Sequence, residues 1–233
     1  MTRRALVVRG GWQGHHPVAA TDLFLPFLRE HDFEVAIHDS PDVYADAAEM
    51  AATDLIVQCV TMSTITDEQV QGLREAVQVG TGLTGWHGGI ADSFRASSDY
   101  LQLIGGQFAT HPSLPPDQLT DDSESNNYLD YTVEFTELGA AHPVTAGLEN
   151  FSLTTEQYWV LHDDLNDVLA TTTHPAPPWH PWHRPITSPA VWARHWGDGR
   201  ILVSTPGHTP DILQHQTVRT IIERGMLWVS RER

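Results

Sequence analysis

Four nearly continuous apolar runs constrain the fold of this chain more than any other feature. They are "RALVVRG" (Arg4–Gly10), "FEVAIHD" (Phe33–Asp39), "DLIVQCV" (Asp54–Val60) and "GLTGW" (Gly82–Trp86). A strand that is apolar along its whole length needs cover on both faces. The intervening sequence can supply that cover. "VAATDLFLPFLREH" (Val18–His31) repeats apolar residues at helical spacing, with Pro26 inside the pattern as a kink. "TDEQVQGLREAVQVG" (Thr66–Gly80) opens on Thr66 with Gln69 three residues later, a capping-box pattern, and closes on Gly80. Strands and helices that alternate this way, joined by right-handed crossovers, imply an α/β fold. The sheet should be open, doubly wound and mostly parallel, with helices on both faces.

The 233 residues suit one large α/β domain spanning 1–233. Loop insertions are expected near 112–130 and 174–189. The first of these, around "HPSLPPDQLTDDSESNNYLD", is acidic and rich in turn residues. The second, "HPAPPWHPWHRPITSP", holds six prolines between His174 and Pro189, which argues against a helix or a central strand. Between and beyond them, "SSDYLQLIGGQF" suits a helix ending at Gly105-Gly106. "YTVEF", "TTEQYWVLH", "DVLATTT", "AVWARHW" and "GRILVSTPG" suit strands. A final amphipathic helix should run from about Asp211 to Val229.

The net charge is −17, and all 13 basic residues are arginine. Without lysine, Schiff-base and Walker-type chemistry are excluded. The acidic balance argues against nucleic acid and membrane partners. The single cysteine, Cys59, lies in an apolar run and reads as a core residue, so thiol zinc sites are excluded. No apolar run has the length of a membrane span, and the N-terminus reads as the start of a strand rather than a leader. A cytoplasmic location is expected, and base rates favour a homodimer.

Histidine is abundant, with fourteen copies, several beside Gly or Pro at the ends of apolar runs. Such strand-end loops are where α/β sheets bind ligands. "GGWQGHHP" (Gly10–Pro17) leaves the first strand. It does not match the dinucleotide fingerprint, so no nucleotide cofactor is expected, and of His15 and His16 at most one should face a site. "GWHGG" (Gly85–Gly89) has the form of a nucleophile elbow with His87 at its tip. Imidazole there suits a general base or a metal ligand. His111 follows another loop. Glu156, Tyr158 and His162 lie on a strand pattern. His208 in "STPGHTPD" follows the last strand. "PWHPWHRP" repeats Trp and His at a spacing of three, which suits metal binding, stacking on a sugar ring, or a surface or dimer contact.

Taken in order, "LVVRGGWQGHHP", "TDEQVQGLREAVQVGTGLTGWHGG", "YLQLIGGQF", "HPVTAGL" with "TTEQYWV", and "AVWARHWGDGRILVSTPGHTPD" with "RGMLWV" resemble the trehalose-utilisation (ThuA-like) family. The resemblance covers nearly the whole chain. It implies a class I glutamine-amidotransferase-like fold, a flavodoxin-like relative. In the amidotransferases the turn after this strand holds a catalytic cysteine. His87 stands there in this chain, so thioester chemistry is unavailable. The resemblance further implies handling of a disaccharide or an oxidised (3-keto) sugar, with a divalent metal such as zinc in the cleft.

On this reading His87, Glu156 and His208 are the catalytic candidates. His16 (or His15), His87 and His208 are the metal candidates, and Trp12, Trp86, His111 and Tyr158 are the substrate contacts. The expected function is a hydrolase or lyase on a carbohydrate derivative, acting through a metal or through acid–base work by His87 and Glu156. The alternatives are a non-catalytic sugar-binding protein and a structural subunit.

Overall fold

The computed structural model describes residues 2–232. The first apolar run forms β1 (Arg3–Gly11), and the segment after it divides into α1 (Pro17–Asp22) and α2 (Leu25–Glu30). The break falls at Leu23-Phe24, and Pro26 sits in the first turn of α2, where its missing N–H costs nothing. There follow β2 (Phe33–His38), α3 (Ala47–Ala52), β3 (Leu55–Thr61), α4 (Asp67–Gln78) and β4 (Gly82–Trp86). The capping box forms: Thr66 Oγ1 accepts from the Gln69 amide (3.2 Å) and Gln69 Oε1 from the Thr66 amide (2.9 Å). The short α5 (Gly88–Ala91) starts directly behind His87, and α6 (Ser98–Ile104) ends on Gly105 at φ +73°.

The remainder is more irregular. β5 (Gly106–Thr110) leads into a long loop, and β6 (Tyr128–Phe135), α7 (Glu137–Ala141), β7 (Phe151–Glu156), β8 (Trp159–His162) and β9 (Asp167–His174) follow. The chain closes with β10 (Ile186–Trp196), β11 (Gly199–Ser204), α8 (Pro210–Gln214) and α9 (Gln216–Val229). No helix among the described residues is long and apolar enough to cross a membrane.

The main sheet runs β2-β1-β3-β4-β11-β10-β9-β6-β7. From β2 to β11 every neighbour is parallel, and from β11 to β7 every neighbour is antiparallel. β5 and β8 pair separately. Alternate residues of the parallel strands feed two cores. Ala5, Val7, Leu55, Val57 and Leu202 pack under Phe24, Leu28, Ile221 and Met226 of the α1, α2 and α9 layer. Leu6, Val8, Ile56, Val60 and Val203 pack under Leu73, Ile90 and Leu103 of α4, α5 and α6. Burying each Val, Leu, Ile, Phe or Met side chain among them stabilises the fold by roughly 1.5–3 kcal/mol. This is the flavodoxin-like α/β arrangement expected, with helices on both faces, extended by an antiparallel wing.

Further details depart from the expectations. The single helix expected from about Asp211 to Val229 is broken at His215 into α8 and α9. "TTEQYWVLH" is not one strand: β7 ends at Glu156, and β8 starts at Trp159 in the other sheet. The loop expected at 112–130 ends at Asn127, because β6 begins at Tyr128. The Pro-rich stretch expected at 174–189 is strand at both ends. His174 closes β9, and Ile186–Pro189 open β10, an interior strand. Pro189 fits because the β9–β10 register shifts there, so no ladder bond needs its absent N–H.

Candidate functional site

β1, β3, β4 and β11 end side by side, and the crevice at their carboxyl edge lies where the crossovers change direction. The Trp12 amide donates to the Thr61 carbonyl (2.9 Å) across the β1–β3 gap. A single helical turn, Gln13–His15, then folds His15 inward, where its Nδ1 meets Thr61 Oγ1 at 3.0 Å. His16 takes a left-handed conformation (φ +47°) before Pro17 and is exposed. Of the pair it is therefore His15, not His16, that joins the site.

His87 sits at the tip of the β4–α5 turn with φ +48° and ψ −139°. That conformation costs a non-glycine residue about 1–3 kcal/mol. Its amide is held by the Ser204 carbonyl at 2.7 Å. A Cβ on neighbouring Gly88 would lie 2.5 Å from His15 Cε1, so this glycine makes room for the second imidazole. The loop after β11 supplies His208, and the end of edge strand β7 supplies Glu156. The antiparallel wing therefore folds back over the carboxyl ends of the parallel strands.

All four side chains are buried, and their candidate ligand atoms lie within 4.8 Å of one another. His87 Nε2 is 3.0 Å from Glu156 Oε2 and 3.1 Å from His208 Nδ1, and His208 Nδ1 is 3.3 Å from Glu156 Oε2. The outer nitrogens have their own partners. His87 Nδ1 lies 2.8 Å from the Thr205 carbonyl, which can only accept, so Nδ1 donates and Nε2 of the neutral ring offers a lone pair. His208 Nε2 faces Glu124 Oε1 (3.2 Å) and the Tyr128 hydroxyl (3.0 Å). The inward nitrogens thus converge on a carboxylate, the His87 lone pair among them, while hydrogen bonds orient the rings from outside.

Burial, with the nearby His87 and His208, pushes His15 down to about 2. Burial also lowers His87, outweighing its bond to Glu156. For His208 burial acts the same way, but the hydrogen bond and charge of Glu156, and then those of Glu124, prevail and raise its pKa. Burial opposes ionisation of Glu156, yet its close contacts with His208 and His87 prevail and hold its carboxyl below the usual carboxylate range.

Beside the cluster lies a cleft of about 330 Å³, at the small end of the range for small-molecule sites. Its lining includes Trp12, Arg95, Phe108, His111, Glu124 and Tyr158. The exposed Trp12 ring meets His15 edge-on at 4.7 Å. Tyr158 is buried with its ring 4.0 Å from that of His87. His111 is half-buried, its Nε2 3.5 Å from Glu156 Oε1, and its Nδ1 has no partner. Trp86, expected as a substrate contact, is instead buried in the core against Phe24, with centroids 5.0 Å apart. Strand alternation turns it towards the helices rather than the cleft.

Several neighbours of the site were not singled out in the sequence. Glu124 and Tyr128 come from the acidic loop and the start of β6, and Arg95 is held by a two-pronged bond to Asp92. The acidic loop was legible as an insertion, but no spacing marked Glu124 within it. The largely apolar groove of about 350 Å³ between α3 and α4, lined by Met50, Ala76 and Val79, has no such convergence of imidazole and carboxylate.

The fold recurs in solved structures. A ThuA-like protein of Parabacteroides merdae ATCC 43184 superposes with a TM-score of 0.71 at 16% identity, covering 98% of this chain and 90% of that one. One from Bacteroides uniformis ATCC 8492 gives 0.69 at 17% identity, with 98% and 91% covered. A cytoplasmic protein of Salmonella typhimurium LT2 gives 0.64 at 14% identity, with 98% and 100% covered. At such identities the likeness speaks to the fold alone. A search of curated proteins finds no match. The sequence model of the family described as ThuA, trehalose utilisation, matches residues 4–229, and the chain belongs to that family.

Proposed function

We propose that this protein is a metal-dependent hydrolase or lyase acting on a disaccharide or an oxidised (3-keto) sugar derivative. Family membership supports the carbohydrate role. The observation that carries the metal is the polarity of the imidazoles. His87 donates outward to the Thr205 carbonyl, while its Nε2 converges with His208 Nδ1 on Glu156 Oε2. His208 turns its other nitrogen to Glu124 and Tyr128, and His15 turns Nδ1 to Thr61. Metal-binding histidines carry this kind of outer support, which fixes the tautomer and the ring plane.

Three imidazoles and a carboxylate, with no thiolate, fit zinc or a similar divalent ion. His15, His87, His208 and Glu156 would hold it. When bound, such an ion supplies Lewis acidity, polarising a ketone or lowering the pKa of water. The protein's own groups do the rest. Tyr158 against one face of His87 limits ring rotation. Glu156 divides its two oxygens: Oε2 serves the histidines, and Oε1 faces His111 and the cleft. Proton transfer to and from substrate falls to Glu156 Oε1 and His111 Nε2, which lie 3.5 Å apart. Trp12 and Arg95 at the cleft wall offer a stacking face and a donor for sugar hydroxyls. A cytoplasmic homodimer without a nucleotide cofactor, and without nucleic acid or membrane partners, completes the proposal.

The burial of all four cluster residues also favours a second reading, in which the site holds an ion and a sugar without turnover. One experiment separates the two. Calorimetric titration of chelator-treated protein with Zn²⁺ should give one site per chain, and the loaded protein should then convert a neutral or 3-keto disaccharide, followed by mass spectrometry. Ion binding and sugar binding without product would favour the second reading. Absence of any divalent-ion binding would overturn the metal site.

A further inference from the structure

The Trp/His/Pro loop takes no part in the histidine cluster, and its side chains are organised all the same. Trp182 and His180 stack with centroids 4.1 Å apart and planes 12° apart. Trp159 meets Trp182 edge-on at 5.3 Å and stacks on His174 at 5.9 Å. Trp179 continues the row and is 43% exposed. Prolines stiffen the loop, and the Trp182 Nε1–H donates to the Pro175 carbonyl at 2.7 Å. Clustered, partly exposed rings mark binding surfaces, whereas single exposed ones do not.

Two polar atoms in this row lack partners. His174 is wholly buried and lies with Nε2 3.1 Å from the Tyr158 carbonyl, so Nε2 donates and Nδ1 keeps a lone pair that meets no donor. His180 Nε2 is likewise buried and unpartnered. Native proteins rarely leave such atoms unsatisfied without a reason. The row is also tied to the candidate site. Tyr158, whose carbonyl accepts from His174, packs its ring on His87, and Trp159 pairs with Thr110 beside His111.

We propose that Trp159, Trp179, His180 and Trp182 form a separate carbohydrate subsite that takes the C–H face of a neutral pyranose ring. The pyranose replaces the His180 imidazole on the Trp182 face. The freed His180 Nε2 then meets a ring hydroxyl. A pyranose matches this surface because it is apolar on its face and hydrogen-bonding around its rim, as the row is. An anionic sugar gains nothing here, since the rings carry no fixed positive charge. The choice of ligand rests on the proposed carbohydrate role, but the subsite needs neither an ion nor turnover.

The test uses the full chain and trehalose as probe. Saturation-transfer NMR should show transfer to the sugar's axial C–H protons, and titration should change tryptophan fluorescence. Trp182→Ala should weaken the affinity at least tenfold and Trp179→Ala by a smaller factor. His87→Ala should leave this affinity within twofold while abolishing ion binding, so failure of the catalytic reading does not remove this readout. If Trp182→Ala fails to fold by circular dichroism, Trp179→Ala and the wild-type transfer spectrum decide. No transfer to trehalose, or unchanged affinity in both tryptophan variants, overturns the proposal. So does a dimer in light scattering that Trp179→Ala converts to monomer, because the row would then be a subunit contact.

Discussion

In the parallel half of the sheet, β1, β4 and β11 each end on a turn that carries one histidine into the cluster. In the antiparallel half nothing converges by register. Glu156 arrives only because the wing curls over, and Glu124 and Tyr128 arrive from a long loop and the strand that follows it. The physical difference is distance along the sheet. β4 and β11 are hydrogen-bonded neighbours, and such strands lie about 4.8 Å apart, so their end residues meet without help. β7 is the far edge strand, and its meeting with β4 depends on tertiary curvature. The parallel half thus places the three histidines, and the antiparallel half supplies the carboxylates, the outer support and the cleft wall.

The sharpest way to break this comparison is to remove one group from each half and measure Zn²⁺ affinity by calorimetry. Loss of outer-support groups typically costs 10–100-fold in metal affinity. Glu124→Gln keeps an acceptor for His208 Nε2 but removes its charge, and should fall within about that range. His87→Ala removes a proposed ligand outright and should exceed about 100-fold. Equal losses in the two variants would mean that the acidic loop belongs to the ligand set itself.

The same contrast explains what the sequence made legible. The parallel half announces itself locally, through both-face apolar runs, the Thr66–Gln69 capping box and the Gly105 helix end. His87 and His208 could be chosen because strand ends are local features too. His15 could not be separated from His16 by composition. The choice was made by the backbone, where Pro17 follows a left-handed His16 and the preceding turn rotates His15 inward. Trp86 misled because its strand end borders the cleft while alternation buries its ring on the helix side. In the antiparallel half, the split of "TTEQYWVLH" between two sheets and the entry of Pro189 into β10 depend on pairings far away in sequence. No local pattern carries that information.

A second test compares buried histidines by pH. His174, at the end of β9, has its pKa lowered by burial from 6.5 to about 4. The unfolded chain binds this proton below about pH 6.5 while the folded chain refuses it until about pH 4. Its contribution to stability is therefore unchanged above pH 6.5 and falls as the pH drops through that window. At pH 5 the loss amounts to about 2 kcal/mol relative to neutral pH. His15 in the parallel half acts in the same direction, so the measurement is a difference. Urea unfolding of chelator-treated wild type and His174→Gln at pH 7 and pH 5 should show the steeper fall in the wild type by about that amount. Parallel pH profiles would show that His174 is not held neutral in the fold.

The smallest effect separates the halves by backbone rather than by side chain. His87→Gly and His87→Ala both delete the imidazole, and both should lose the ion. They differ in a Cβ held at φ +48°, ψ −139°, a region almost reserved for glycine. Relief of that strain outweighs the extra chain entropy of glycine, so His87→Gly should be the more stable by about 1 kcal/mol. Glu156 provides the mirror experiment. It ends a β-strand and is not among the residues with positive φ, so glycine brings no relief there. Glu156→Gly should be less stable than Glu156→Ala by about 0.5–1 kcal/mol, the ordinary cost of glycine in a strand. Thermal unfolding of the four variants in chelator reads both differences. Opposite signs at the two positions would show that the turn after β4 stores strain to aim its histidine, while β7 delivers its carboxylate on relaxed backbone. The same sign at both would mean that the His87 turn carries no strain beyond that of an ordinary strand end.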